Sequence, residues 1–269
     1  MDKKISKTKE FLLDLFFPKF CLGCRKEGVY LCDDCRALLD ITEFDYCLCN
    51  TKPQRLSLSP PHQTELWCGD KQKSGKCNRC QYKKLSGLYF ALPYKEKALT
   101  KKLIYQFKYQ PYLKDLAKTL ASILIEHLVI SGKNTDEIWN PKGIPGVLIP
   151  VPLDKKKLKT RGYNQSEELA KELSKTLKIP VISNVLTKIK ATKPQMELSK
   201  SEREKNLLEA FAVKTPENCG VSDTPQFSGK KVFLVDDVYT TGSTMEECAK
   251  VLRNAGAKQV WGIAIAREE

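Results

Sequence analysis

From residue 86 onwards, short continuous apolar runs alternate with longer segments in which apolar residues recur every three or four positions. Continuous runs are typical of strands buried on both faces, and the spaced pattern is typical of helices that bury one face. Strands are predicted at 86–94, 147–152, 185–189, 211–213, 232–235 and 260–266. Helices are predicted at 98–107, 113–128, 166–177 and 245–254. This alternation predicts an α/β fold with a parallel sheet flanked by helices.

The first 85 residues follow a different pattern, because nine of the 11 cysteines lie between Cys21 and Cys80. Cys21, Cys24, Cys32 and Cys35 form two C-x2-C pairs, the spacing that brings four thiolates to one tetrahedral zinc ion. Disulfides are the alternative, but they need an oxidising compartment and no export signal precedes the segment. The sequence therefore predicts a small zinc-ribbon module at 1–85 and a second domain at 86–269.

A second set of cysteines is less regular. The preferred ligands for a second zinc ion are Cys47, Cys49, Cys77 and Cys80, with Cys68 as a possible replacement in the first pair. Both sets consist of cysteines and leave no open position for a catalytic water. Zinc is therefore expected to stabilise the fold and not to perform chemistry.

The chain carries a net charge of +14, of which residues 86–230 contribute +10. This excess suits a polyanion such as pyrophosphate or nucleic acid, although a lysine-rich solvated surface is an equal alternative. On the predicted helix 98–107, Lys101, Lys102 and Lys108 alternate with aromatic residues. Such a pattern can bind single-stranded nucleic acid, but packing of the aromatic residues in the core is the favoured alternative.

No run of about 18 apolar residues exists, so no transmembrane segment is predicted. The apolar stretch at 11–17 is short, is interrupted by Asp14 and lacks a secretory cleavage site. It is interpreted as a docking helix, with contact to a membrane surface as the alternative. The predicted location is cytoplasmic.

The stretch 232–244 combines a strand, two carboxylates, a polar turn and a helix start. Asp236 and Asp237 follow the predicted strand, and the turn consists of Thr240, Thr241, Gly242, Ser243 and Thr244. Backbone N–H groups at a helix N-terminus bind anions, and the hydroxyls of this turn add further donors. Gly242 permits the tight turn. These residues predict a phosphate site.

The two aspartates favour a ribose next to that phosphate, because adjacent hydroxyls on a sugar match adjacent carboxylates, directly or through magnesium. The predicted ligand is therefore a ribose 5-phosphate. A buried strand followed by a capped helix is the plainer alternative. The segment is not a Walker loop, since it lacks the required Gly-Lys-Ser/Thr.

A basic segment follows the predicted strand 147–152 and contains Lys155, three further lysines and Arg161. It is interpreted as a loop in which Arg161 and Lys155 bind pyrophosphate. Ligands of open parallel sheets bind beyond the carboxyl ends of the strands, so this loop and the aspartate turn are expected to face one cleft. A solvated lysine run is the alternative for the lysines.

The stretch 232–244 resembles the signature of the type I phosphoribosyltransferases, which bind phosphoribosyl pyrophosphate (PRPP). The order of motifs along the chain resembles the ComF (ComFC) family of competence-associated proteins. The motifs that carry this likeness are Pro-Val-Pro-Leu at 150–153, Arg-Gly-Tyr-Asn-Gln at 161–165, Pro194 with Gln195, Glu202-Arg203 with Asn206, and the stretch 232–244. The family pattern differs at Cys47 and Cys49, where two intervening residues are expected. The resemblance implies a type I phosphoribosyltransferase fold, magnesium-PRPP as ligand and a mobile loop near 190–200.

Two functions remain open at this point. The resemblance implies a role in natural transformation, with single-stranded DNA and the competence helicase or translocation machinery as partners. The alternative is an active phosphoribosyltransferase that transfers the phosphoribosyl group to an unidentified acceptor. No catalytic residue is assigned. The first function is favoured because the sequence offers groups for phosphate and ribose but no pocket that recognises a nucleobase.

Overall fold

The computed structural model describes residues 18–42, 48, 80–94, 98–132, 138–140, 143–189, 210–214 and 224–268, and the backbone at 45–46, 55–56 and 136–137. The stretch 11–17, the loop 190–200, Arg203, Asn206 and the cysteines 47, 49, 68 and 77 lie outside the described residues.

The elements are, in chain order, α1 (Asp33–Ala37), β1 (Asp45–Tyr46), β2 (Arg55–Leu56), β3 (Leu88–Pro93), α2 (Ala98–Lys108), α3 (Leu116–Ile130), α4 (Asp136–Trp139), β4 (Gly146–Pro150), α5 (Lys155–Arg161), α6 (Gln165–Leu177), β5 (Leu186–Lys188), β6 (Phe211–Val213), β7 (Lys231–Tyr239), α7 (Ser243–Asn254) and β8 (Gln259–Arg267). The predicted strands and helices all occur, with bounds that differ by a few residues. None of these helices is long and apolar enough to cross a bilayer.

Four of the described strands form a parallel sheet in the order β3-β8-β7-β4. Successive residues of β7 face opposite sides of this sheet. Phe233 and Val235 pack in the layer that contains α2, α3 and α6, whereas Val232 and Leu234 pack in the layer that contains α7. The central strands are therefore apolar on both faces, which explains their continuous hydrophobic runs. The predicted α/β class with a parallel sheet is confirmed.

β7 is longer than predicted, and its extra length positions the two carboxylates. The pairing of β4 with β7 ends at Pro150 and Val235, whereas β8 continues to pair with β7 as far as Tyr239. Asp236 and Asp237 therefore lie within the strand and not after it. They lie beyond the end of β4, at the carboxyl edge of the sheet.

Two segments differ from the sequence-based expectation. The basic segment after β4 was expected to be a loop, but it forms α5, with Asp154 accepting a hydrogen bond from the Lys156 N–H at 3.0 Å and Gly162 ending the helix. The connection 131–146 is polar and contains glycine and proline, a composition that predicts a surface connection. It contains α4, and Trp139 is buried against Phe233 with ring centroids 4.7 Å apart.

The cysteine-rich segment packs against α3 and the β3 edge of the sheet. Arg36 donates to Glu126 at 2.6 Å and to Ser122 at 2.9 Å. The Thr42 hydroxyl donates to the Phe90 carbonyl at 2.7 Å. These contacts join the segment to the sheet, and the boundary proposed after residue 85 stays a prediction.

Candidate functional site

A cleft of about 200 Å³ opens at the carboxyl edge of the sheet, between the ends of β4 and β7. Lys188 of β5 and Phe211 of β6 also line it, and these two strands pair with each other outside the main sheet. The polar residues that line the cleft are Lys108, Asp154, Lys157, Gln165, Ser166, Lys188, Asp236, Asp237, Tyr239, Thr240 and Thr244. The segment after β4 and the aspartate strand therefore face one cleft, as the topology predicted.

The turn between β7 and α7 is built around Gly242. Its φ of +80° lies in the left-handed region, and a Cβ atom there would lie 2.2 Å from the Tyr239 hydroxyl. The Thr241 and Ser243 hydroxyls lie 2.8 Å apart, and α7 begins at Ser243. Gly242, Thr244 and Met245 line the cleft. The N-terminal N–H groups of a 12-residue helix and the positive end of its dipole therefore lie at the cleft.

The two aspartates have different partners. Asp236 accepts hydrogen bonds from the Ser166 hydroxyl and from the Asp237 N–H, both at 2.9 Å. Asp237 is only 3% exposed, and its Oδ1 lies 3.0 Å from the Lys108 ammonium. The other oxygen, Oδ2, is buried and has no hydrogen-bond partner among the described residues. A side chain that lines the cleft thus has one buried acceptor without a donor.

Burial and charge shift the protonation of this cluster. Burial, joined by the neighbouring charge of Asp237, raises the pKa of Asp236 to about 7, although Lys108 and the donors from Asp237 and Ser166 act in the opposite direction. Burial alone would lower the pKa of Lys108, but the carboxylates of Asp237 and Asp236 raise it on balance. Lys108 therefore stays protonated, and Asp236 can exchange a proton near neutral pH.

The segment 161–165 holds the cleft together. Tyr163 donates to the Phe107 carbonyl at 2.6 Å and so fixes the end of α2. Asn164 caps α6 through the Ser166 N–H and donates to the Val151 carbonyl at 3.0 Å. Arg161 donates to Gln165, which lines the cleft. These hydrogen bonds explain why polar residues are concentrated at 161–165.

The predicted pyrophosphate ligands occupy different places. Lys155 is exposed on α5, and neither Lys155 nor Arg161 lines the cleft directly. Lys157 of the same helix and Lys188 of β5 do line it, and burial lowers the pKa of Lys188. The role of Arg161 and Lys155 in binding stays a prediction.

Sequence reasoning did not assign three residues of this cleft. Lys108 was grouped with the exposed lysines of α2, whereas its ammonium is paired in the cleft. Ser166 and Lys188 were not singled out. A helical wheel places Lys108 within about 20° of Lys101, so the sequence pattern could not separate the two, and the distance to Asp237 depends on how α2 packs.

The four cysteines 21, 24, 32 and 35 converge in a separate cluster. Their sulfur atoms lie within 4.8 Å of one another, and a zinc ion about 2.3 Å from each sulfur would place them about 3.8 Å apart. Gly23 leaves room for this cluster, because a Cβ atom there would lie 2.5 Å from the Cys35 sulfur. The predicted four-cysteine cluster is confirmed, and it can hold one zinc ion in a zinc-ribbon module.

The local hydrogen bonds favour the thiolate of Cys21. Burial raises the pKa of Cys21, but hydrogen bonds from the N–H groups of Cys24, Cys32 and Gly23 lower it, and the net pKa is about 6. Burial and the neighbouring thiols raise the pKa of Cys35 to about 12. A bound cation would relieve this crowding of thiols. Of the second predicted set, Cys80 alone lies in the described part of the chain, where it is buried.

Comparisons with known proteins agree with this arrangement. The model of the phosphoribosyl transferase domain matches residues 159–267, which include β7, α7 and β8. Competence protein F of Haemophilus influenzae is 39% identical over 167 residues, covering 61% of this chain and 67% of that protein. DNA utilization protein YhgH of Salmonella typhi is 30% identical over 235 residues, covering 86% of this chain and 95% of that protein. The chain belongs to the ComF family.

A further ComF-family relative is Competence protein ComFC of Bacillus subtilis, which is 34% identical over 110 residues, or 41% of this chain and 39% of that protein. The family assignment confirms the resemblance found in the motifs. It also agrees with the structure, in which a phosphoribosyltransferase-type α/β domain follows a four-cysteine module.

Proposed function

We propose that the cleft binds the ribose 5-phosphate part of a ligand, and that PRPP is the ligand that makes the most contacts there. We further propose that the protein handles single-stranded DNA during DNA uptake. The unpartnered Asp237 oxygen carries the first half of this proposal. A buried carboxylate oxygen without a partner is costly, and a ribose hydroxyl is a donor that can satisfy it once the side chain turns towards the ligand. The N-terminus of α7 would then receive the 5-phosphate.

The rest of the cleft carries charge that suits the pyrophosphate of PRPP. Lys157 and Lys188 line the cleft and supply positive charge for that group. The Arg161 side chain donates to Gln165, and it could contact the pyrophosphate only after this hydrogen bond breaks. Magnesium would travel with the pyrophosphate, because diphosphate oxygens are its usual partners.

The DNA half of the proposal rests on relatives and on α2. The names of the relatives refer to competence and to DNA utilization. On α2, Phe107 is buried, but Tyr105 and Tyr109 are 56% and 45% exposed, with ring centroids 4.9 Å apart. Lys101 lies one turn before Tyr105 and is also exposed. Exposed rings next to lysines can stack on bases and contact phosphates.

Calorimetry with ribose 5-phosphate and PRPP tests the cleft. The zinc-loaded protein should bind both compounds. Asp237→Asn should lower the affinity for ribose 5-phosphate at least about tenfold, since it removes a charge-assisted acceptor. Asp115→Asn is the matched control, because Asp115 is exposed and its side chain makes no capping hydrogen bond. A wild-type protein that binds no pentose phosphate would end the proposal.

Fluorescence anisotropy with a labelled oligonucleotide tests the DNA half. Affinity should fall with rising salt, and replacing Tyr105 and Tyr109 together by Ala should weaken binding by about tenfold or more. Tyr82→Ala is the control, since Tyr82 is 84% exposed but lies outside α2. Equal loss in both variants would show that the α2 tyrosines are not a stacking surface.

An active phosphoribosyltransferase remains the second candidate, and the protonation of Asp236 favours it. Attack of an acceptor on the anomeric carbon of PRPP forms one bond there and breaks the bond to pyrophosphate. A carboxylate with a pKa of about 7 could take the proton that the acceptor releases. Phe211 and Met245 give the cleft an apolar side for such an acceptor.

Pyrophosphate release from PRPP, measured over a panel of bases and other nucleophiles, separates the two candidates. Turnover with one acceptor that is lost in Asp236→Asn would establish the enzyme. Binding of PRPP without release across the panel would leave a ligand site in a DNA-handling protein.

A further inference from the structure

We propose that Lys108 is the internal counter-ion of the acidic pair, so that Asp237 contacts ribose hydroxyls directly and no metal ion is held between the carboxylates. This inference rests on the proposed ribose-phosphate site. It assigns a binding role to a residue of the helix that precedes the phosphoribosyltransferase match, which begins at residue 159.

The position of Lys108 is fixed by its surroundings. It is the last residue of α2, and its side chain is 23% exposed, while that of Asp237 is 4% exposed. Tyr163 holds the preceding residue through two contacts, because its hydroxyl donates to the Phe107 carbonyl at 2.6 Å and the two rings pack with centroids 5.8 Å apart. The ammonium therefore remains near Asp237 without a ligand.

The donors already present leave little room for a metal on the pair. One oxygen of Asp237 faces the Lys108 ammonium, and one oxygen of Asp236 accepts from Ser166 and from a backbone N–H. A divalent ion that bridged the two carboxylates through their other oxygens would displace none of these donors but would lie close to the Lys108 ammonium, whose charge repels it. The residues thus do not fit a metal ion held by both carboxylates.

Asp236 Oδ2 and Asp237 Oδ2 remain, and the buried Asp237 Oδ2 fits a neutral donor better than a cation. A hydroxyl brings no charge into contact with the ammonium, and Lys108 keeps the carboxylate a strong acceptor. Lys108 thereby supplies the positive charge that a metal ion would otherwise supply at this end of the cleft. The structure thus favours direct contact over the magnesium-mediated contact that the sequence left open.

The test compares Lys108→Met with Lys118→Met, an exposed lysine of α3 that does not line the cleft. Ribose 5-phosphate is titrated calorimetrically in metal-depleted buffer, without a chelator that would remove zinc. Wild type and Lys118→Met should bind alike, and Lys108→Met should bind at least about tenfold more weakly. Lys108→Arg should recover part of the loss, since it restores the charge.

Manganese alone, followed by its electron paramagnetic resonance signal, supplies a readout that needs no sugar ligand. Lys108→Met should gain at least about fivefold in Mn²⁺ affinity, because removal of the ammonium leaves two carboxylates without a counter-ion. Adding Asp237→Asn should abolish the gain. Circular dichroism melting confirms that each variant is folded.

The outcomes separate the inference from the proposed function. If wild type binds ribose 5-phosphate but needs a divalent metal, or if Lys108→Met binds it equally well, the counter-ion role is wrong. If Lys108→Met gains no Mn²⁺ affinity, the role is also wrong. If wild type binds no ribose phosphate while the Mn²⁺ gain is observed, the proposed ligand fails and the counter-ion role stands.

Discussion

Replacement of Gly242 by alanine tests how the turn of the cleft is built. The residue has a φ of +80°, and a side chain in this left-handed region costs about 1–2 kcal/mol. The new Cβ would also lie 2.2 Å from the hydroxyl and 2.5 Å from Cζ of Tyr239. Tyr239 is 1% exposed and has the Arg267 guanidinium 5.8 Å from its ring centroid, so it cannot move freely. Overpacking of this kind adds about 1–3 kcal/mol.

Gly242→Ala should therefore lower the free energy of unfolding by about 3 kcal/mol, as measured by urea denaturation. Ribose 5-phosphate binding should also weaken about tenfold or more, because the start of α7 is displaced. Gly229→Ala is the matched control, since its φ is +69° but nothing lies within 4 Å of its Cβ. If both variants lose the same stability and both keep ligand binding, the contact with Tyr239 does not shape the turn.

Three further predictions follow from the described contacts. Because burial raises the pKa of Asp236 from 3.8 to about 7, the folded state holds a proton that the unfolded chain releases. Wild type should then lose on the order of 2 kcal/mol of stability between pH 5 and 8, whereas Asp236→Asn should lack this loss in parallel urea denaturations. Removal of zinc, checked by metal analysis, should lower the melting temperature by about 5–10 °C, and Cys32→Ser should reproduce the effect without a chelator. Arg36→Met removes the 2.6 Å contact with Glu126 and should cost about 1 kcal/mol; a double-mutant cycle with Glu126→Gln that shows no coupling would contradict it.

Local spacing and hydrophobic pattern were enough to predict much of the fold. The parallel strands are apolar on both faces, so their runs stand out without any knowledge of neighbours. The four cysteines of the first cluster lie close in sequence, and two C-x2-C pairs can meet only over a short interval. The turn at Gly242 is likewise local, because a left-handed residue before a helix is a property of a few consecutive residues.

The basic segment after β4 shows where local reasoning failed. Its lysines suggested a loop of pyrophosphate ligands, but the Asp154 cap and the left-handed Gly162 start and end a helix. The helix directs Lys157 to the cleft and leaves Lys155 exposed. Lysines that are close in the sequence thus have different surroundings, because a helix separates successive side chains by about 100°.

The sequence by itself determined the α/β class, the zinc-type cysteine cluster and the acidic and hydroxyl groups of the cleft, since each depends on residues that are close in the chain. Only the tertiary structure decided which lysine accompanies those acids. Lys108 and Asp237 are 129 positions apart, and they meet because α2 packs on the sheet and Tyr163 holds its end. Such a contact depends on the packing of distant elements, which no local pattern encodes.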